Sequence, residues 1–119
     1  MNAKSLRYRD YLEHMLDAIR LARSYVDGLA KAEFLADRKT QQAVILNIVI
    51  IGEAATQLVD ENPAFADQHS NIPWKQMRGM RNRMAHGYFE IDLDVVWDTV
   101  QLSLPDLERK IAAIVENLG

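Results

Sequence analysis

The sequence predicts an all-α protein, an up-down bundle of about four main helices with short helices between them. Three observations lead there. Apolar residues recur at steps of three and four along nearly the whole chain. No stretch alternates apolar and polar residues for long enough to pair as a sheet. Capping and helix-ending residues, such as Asp37, Asn62-Pro63, Gly87 and Asp92, stand at the borders of the periodic stretches.

The first helix follows from Tyr8, Leu12, Met15, Ile19, Ala22, Val26 and Leu29, which draw one stripe, with Asp10, Glu13, Asp17, Arg20 and Arg23 on the wet side. Gly28 weakens its end. A short helical turn is predicted around Ala32–Ala36, and Asp37 is placed to cap the next helix through backbone N–H groups. That helix, about Arg38–Asp60, carries two stripes: Val44, Ile48, Ile51, Ala55 and Leu58, and beside them Ile45, Val49, Gly52 and Thr56. Apolar over so much of its circumference, it is either the central helix of the bundle or part of a subunit interface. Gly52 permits close backbone approach. Asn62-Pro63 ends the helix, and Pro63–Ser70 reads as a loop.

Asn71-Ile72-Pro73-Trp74 then resembles a helix start, with Asn71 as cap and Pro73 in the first turn. Trp74, Met77, Met80 and Met84 supply its buried side, and Gly87 is expected to close it in a left-handed cap. Asp92 opens the last segment, where Leu93, Trp97, Val100, Leu104, Leu107, Ile111, Ile114 and Leu118 keep one phase. Pro105 is expected to kink that segment or to force a restart capped by Ser103.

The chain's 119 residues, 49% hydrophobic and 26% charged, suit one globular domain over residues 1–119. The absence of cysteine excludes disulfides, thiolate metal sites and thiol nucleophiles, and fits a cytoplasmic location. The start, Met1-Asn2-Ala3-Lys4-Ser5-Leu6-Arg7, does not read as a signal peptide. The longest apolar run, Ala43–Ile51, falls far short of the ~20 residues of a membrane helix, so no membrane partner is expected. Net charge is −3, unevenly spread: no acidic residue lies between Asp67 and Glu90, where Lys75, Arg78, Arg81 and Arg83 fall. A basic segment on an acidic body can still hold a phosphate locally, because screening confines fields to about 10 Å.

Chemistry concentrates in Arg78-Gly79-Met80-Arg81-Asn82-Arg83-Met84-Ala85-His86-Gly87-Tyr88. Asn82 and His86, four apart, share a helical face with Arg78, whereas Arg81 stands about 140° round from His86. Those two converge only if the helix breaks at His86-Gly87 or if a second copy of the segment packs alongside. Arginine forks suit a phosphate and the charge that develops on it. An imidazole, whose ordinary titration lies near neutrality, can move protons. RNA brings its own nucleophile, the 2′-hydroxyl, so neither a metal nor a protein nucleophile is required. Glu53, in the doubly apolar helix, needs a partner, and an arginine of the basic segment is the natural one. His14 and His69 have no partners at metal-ligand spacing, there is no H-E-x-x-H, and no metal or other cofactor is expected.

The stretch Arg81-Asn82-Arg83-Met84-Ala85-His86-Gly87-Tyr88 resembles the R-N-x-x-x-H-x-Y signature of the HepT-like toxins, a branch of the HEPN superfamily. Phe34-Leu35-Ala36-Asp37-Arg38, Ile51-Gly52-Glu53-Ala54-Ala55, Ile72-Pro73-Trp74, Ile91-Asp92 and Trp97-Asp98-Thr99 resemble the same family in the same order, so the likeness covers nearly the whole chain. The resemblance implies a HEPN-like helical fold and a two-fold homodimer that brings two R-x4-H motifs into one cleft. It also implies a metal-independent endoribonuclease, the toxin of a type II or type VII-like toxin–antitoxin pair. The implied antitoxin is a small MNT-type nucleotidyltransferase, which binds the toxin and in part of the family transfers AMP to the motif tyrosine. By position, Arg81 and His86 become the catalytic pair, Asn82, Arg78 and Glu53 supporting residues, and Tyr88 the candidate site of AMP addition. The competing expectation is a non-catalytic nucleotide- or RNA-binding docking partner of the nucleotidyltransferase, in which Arg81 and His86 only bind phosphate.

Overall fold

The computed structural model describes residues 3–118, with side chains from residue 7 onward. It is all-helical over these residues, in the order α1 (Ala3–Tyr25), α2 (Lys31–Leu35), α3 (Arg38–Glu61), α4 (Pro63–Gln68), α5 (Trp74–His86), α6 (Leu93–Asp98) and α7 (Leu104–Asn117). One 3-10 turn, Tyr88–Glu90, follows α5, and a π-helical turn, Thr99–Ser103, joins α6 to α7. The two long helices, at about 1.5 Å per residue, run roughly 35 Å each and set the length of the bundle.

The stripes account for the packing. Leu12, Met15, Ile19 and Ala22 of α1 are fully buried, and Val44, Ile48, Ile51, Ala55 and Leu58 of α3 are buried against them. α3 is the central helix, with α1 on one side and α5 on the other. Of its second stripe, Ile45 and Gly52 are also buried within the same chain, and Val49 and Thr56 are half-buried. Ile48 is 3% exposed and belongs to the core. The apolar side chains that α3 does present to solvent are Leu46 and Ile50, which lie on neither stripe. By length and composition α3 could cross a membrane, although its longest unbroken apolar run is short; half of the apolar window lies inside the bundle.

Electrostatic links tie the elements together. Arg20 and Arg23 of α1 both pair with Glu108 of α7, at 3.3 and 2.8 Å. Arg7 pairs with Glu61 at the end of α3 at 2.8 Å, where the Tyr11 hydroxyl also donates to the same carboxylate. That hydrogen bond pushes the Tyr11 hydroxyl above its ordinary value. Lys31 reaches Asp94 at 2.9 Å, and the buried Phe34 ring meets Trp97 with centroids 5.4 Å apart, so α2 and α6 clasp each other.

Several local expectations are corrected. Residues 63–68 are not loop: the proline that ends α3 also starts α4, where its missing N–H costs nothing. Trp74 Nε1 donates to the carbonyls of Ala66 and His69, at 3.2 and 3.1 Å, and Phe65 of α4 stacks on Tyr8 of α1. Asn71 does not cap α5; the cap position is Pro73, and the helix begins at Trp74. Gly87 closes α5 at φ −114°, outside the left-handed region, with its N–H on the Arg83 carbonyl at 2.9 Å. The left-handed glycine is instead Gly28, at φ +78°. Ser103 makes no side-chain cap; its backbone is helical, and a π turn rather than a capped restart precedes Pro105. Asp37 and Asp92 do cap α3 and α6, accepting from Thr40 N–H and from Asp94 and Val95 N–H respectively.

Candidate active site

The motif residues sit on the second half of α5 and on the turn beyond it. α5 crosses α3 at very short range because Gly52 has no side chain. A Cβ built there would lie 2.4 Å from Arg81 Cβ and 2.7 Å from the Met77 carbonyl oxygen. The glycine therefore fixes how deeply Arg81 is seated. Its side chain is only 20% exposed, and its Nη1 donates to Glu53 Oε2 at 2.7 Å. Nε is buried and has no hydrogen-bond partner. One edge of the guanidinium is thus fixed by a carboxylate one residue from the glycine, while Nη2 has no protein acceptor among the described residues.

The other candidates divide between the faces of α5. Arg78 pairs with Asp60 of α3 at 2.8 Å, so two of the four basic residues in the acid-free segment meet carboxylates from α3. Charge counted along the chain misses this pairing, because the acids lie 18 and 28 residues earlier. Lys75 and Arg83 are exposed and make no ion pair among the described residues. Asn82 and His86 are exposed. α5 continues as α-helix through His86, so the helix does not break in a way that carries the imidazole round to Arg81. Their ~140° separation therefore persists within one chain. Tyr88 is 47% exposed, and its hydroxyl accepts from Gln42 Nε2 at 3.0 Å. Phe89 beside it is 100% exposed.

Some features of this region were not readable from residue type. Gln42 holds Tyr88, and only its place on α3 opposite the end of α5 reveals that. Leu46 and Ile50 form an exposed apolar strip on α3 between the Gln42 and Glu53 contacts. Their spacing of four was a usable signal, hidden among the other apolar residues of α3. His69 is a packing residue, with its ring 4.5 Å from that of Phe65. His14 is exposed on α1. Among the described residues no three His, Asp or Glu side chains gather as a metal set.

A helical bundle whose α5 carries Arg-Asn-x-x-x-His, followed in the next turn by the motif tyrosine, with its arginine seated against the central helix, defines a HEPN-like protein of the R-x4-H type. Comparison with known proteins gives the particular branch: the chain matches the family described as Ribonuclease HepT-like over residues 15–114, and it belongs to that ribonuclease family. It is 39% identical over 103 residues to a Thermococcus cleftensis protein named probable ribonuclease HepT, covering 87% of this chain and 91% of that one. A protein of Caldanaerobacter subterraneus subsp. tengcongensis, named as an RNase, is 33% identical over 108 residues, covering 91% of this chain and 94% of the relative. One from Methanocaldococcus jannaschii, also named as an RNase, is 34% identical over 109 residues, covering 92% of this chain and 84% of the relative. No solved structure matches.

Proposed function

We propose that this protein is the ribonuclease toxin of a toxin–antitoxin pair and cleaves RNA without a metal. Its site is a composite one on the seam of a homodimer, and its antitoxin is a small nucleotidyltransferase that adenylylates Tyr88. The observation that carries the nuclease reading is the fixed guanidinium of Arg81, seated at Gly52 and fastened through Nη1 by Glu53, with Nη2 left without a protein acceptor among the described residues. An anion drawn to Nη2 would accept a charge-assisted bond there.

The reaction needs no group beyond these side chains and the substrate. Arg81 holds the scissile phosphate. His86 takes the proton from the 2′-hydroxyl or returns one to the leaving 5′-oxygen. The 2′-oxygen forms a bond to phosphorus as the bond to the 5′-oxygen breaks, leaving a 2′,3′-cyclic phosphate and a 5′-hydroxyl. Because Arg81 and His86 lie on different sides of α5, two copies related by a two-fold axis supply the pairing that one chain lacks. The exposed Leu46 and Ile50 are the apolar surface such a partner would cover. Tyr88 is half-exposed with only Gln42 on its hydroxyl among the described residues, and an adenylyl group there adds bulk and negative charge where the RNA backbone must lie.

The test is cleavage of single-stranded RNA in chelator by the purified protein. Cleavage is expected to fall by ~100-fold or more in His86→Ala and to persist in Lys75→Ala. Absence of cleavage by the intact, unmodified protein overturns the enzyme reading in favour of a docking module. Incubation with an MNT-type nucleotidyltransferase and ATP is expected to add one adenylyl mass to the wild type and none to Tyr88→Phe.

A further inference from the structure

We propose that Phe89 is a stacking platform for an unpaired base of the RNA, which makes single-stranded RNA the substrate class. The identity of the ligand rests on the ribonuclease reading above. Phe89 is 100% exposed, whereas Leu102, the next most exposed large apolar side chain among those described, is 73% exposed. A ring wholly in water contributes no buried area to the fold of one chain, so within the chain its presence there has no packing explanation.

The turn that carries the ring is nevertheless closed and anchored. Phe89 sits in the 3-10 turn Tyr88–Glu90, closed by Glu90 N–H on the Gly87 carbonyl at 2.9 Å. The Tyr88 ring meets it edge-on, with centroids 5.9 Å apart and planes at 82°, and Tyr88 is itself tied to α3 through Gln42. Phe89 is three residues beyond His86, so chain reach keeps their Cα atoms within about 11 Å. That places the ring beside the proposed reacting phosphate, on the scale of a neighbouring nucleotide.

Charge selects the part of the nucleotide. Before Phe89 comes the end of the acid-free segment, with Arg83 unpaired among the described residues; immediately after it comes the exposed carboxylate of Glu90. A phosphate avoids Glu90, while the face of a neutral base does not. Stacking on an aromatic ring tolerates any base but requires it to be unstacked and unpaired. The preference is therefore for single strands over duplexes, with weak dependence on sequence.

The experiment uses the full chain and a fluorescein-labelled single-stranded 2′-O-methyl RNA, which cannot undergo 2′-oxygen attack, with its duplex as comparison. Phe89→Ala is expected to weaken single-strand binding by about 5- to 150-fold. Phe89→Trp is expected to preserve it, Phe89→Leu to resemble Phe89→Ala, and the duplex to bind weakly and alike in all variants. Equal affinity of wild type and Phe89→Ala overturns the proposal. So does Phe89→Leu binding as well as Phe89→Trp. A change of sedimenting mass in Phe89→Ala also overturns it, because the ring would then face a second copy. If the wild type cleaves no RNA but the Phe89 pattern holds, the nuclease reading falls and the stacking role stands.

Discussion

Gly52→Ala tests the link between helix packing and site geometry most directly. The added methyl would stand 2.4 Å from Arg81 Cβ, 2.7 Å from the Met77 carbonyl and 3.1 Å from Arg81 Cγ. Carbon atoms in contact prefer about 3.5–4.0 Å, so α5 must retreat from α3 by roughly 1 Å or somewhat more. Overpacking of this kind costs about 1–3 kcal/mol, and the better helix propensity of alanine returns about 1 kcal/mol. The expected net loss is therefore about 0–2 kcal/mol, read as a lower urea midpoint at unchanged slope. Catalysis should suffer more, because displacing a positioned group by 1 Å costs on the order of 100-fold. Gly79→Ala is the internal control: nothing lies within 4 Å of its would-be Cβ, so it should gain up to about 1 kcal/mol and cleave normally. Single-turnover cleavage at saturating RNA reads the effect. If Gly52→Ala behaves like Gly79→Ala in both measurements, the claim that this glycine seats Arg81 is wrong.

Glu53→Ala should cost at most about 1 kcal/mol in stability, since its carboxylate is half exposed, yet reduce cleavage by about tenfold or more as Arg81 loses its fixed orientation. Glu53→Gln, which keeps an acceptor, should retain more of the activity. Ile48→Asp should unfold the protein, because it places an unpaired charge in the core. Leu46→Asp should leave the helical circular dichroism intact and shift the sedimenting species toward monomer; a folded monomer from Ile48→Asp instead would reverse the two assignments. The Arg23 guanidinium, with Arg20 beside it, holds the Glu108 carboxyl below its ordinary value against the opposing pull of burial. A depressed carboxylate contributes stability above its unfolded value, and that contribution disappears as pH falls through the folded value. Urea midpoints measured downward from about pH 5 should therefore fall less steeply in Glu108→Gln than in the wild type.

Much of this architecture is legible in residue spacing, because an amphipathic helix must repeat its apolar face every three or four positions whatever it packs against. The stripes of α1, α3 and α7 and the caps at Asp37 and Asp92 are of that kind. α4 escaped because Asn62-Pro63 is at once a stop signal and a start signal, and six residues are too few to show a period. Asn71 and Gly87 misled because cap preferences describe what a residue can do, whereas the Trp74 bonds to α4 and the 3-10 turn after α5 decide what the backbone does. At the site, Glu53 and Gly52 could be singled out as a charge and a gap on an apolar helix. The pairing of Arg78 with Asp60, the tether from Gln42 to Tyr88 and the exposure of Phe89 depend on which helix faces which. Local periodicity carries no such information.

The ion pair between Glu53 and Arg81 joins residues 28 positions apart in the chain. During synthesis the carboxylate emerges first and waits, and the guanidinium gains a fixed direction only when the later helix docks on the earlier one. An incomplete or misfolded chain consequently carries the motif as sequence without carrying it as a site.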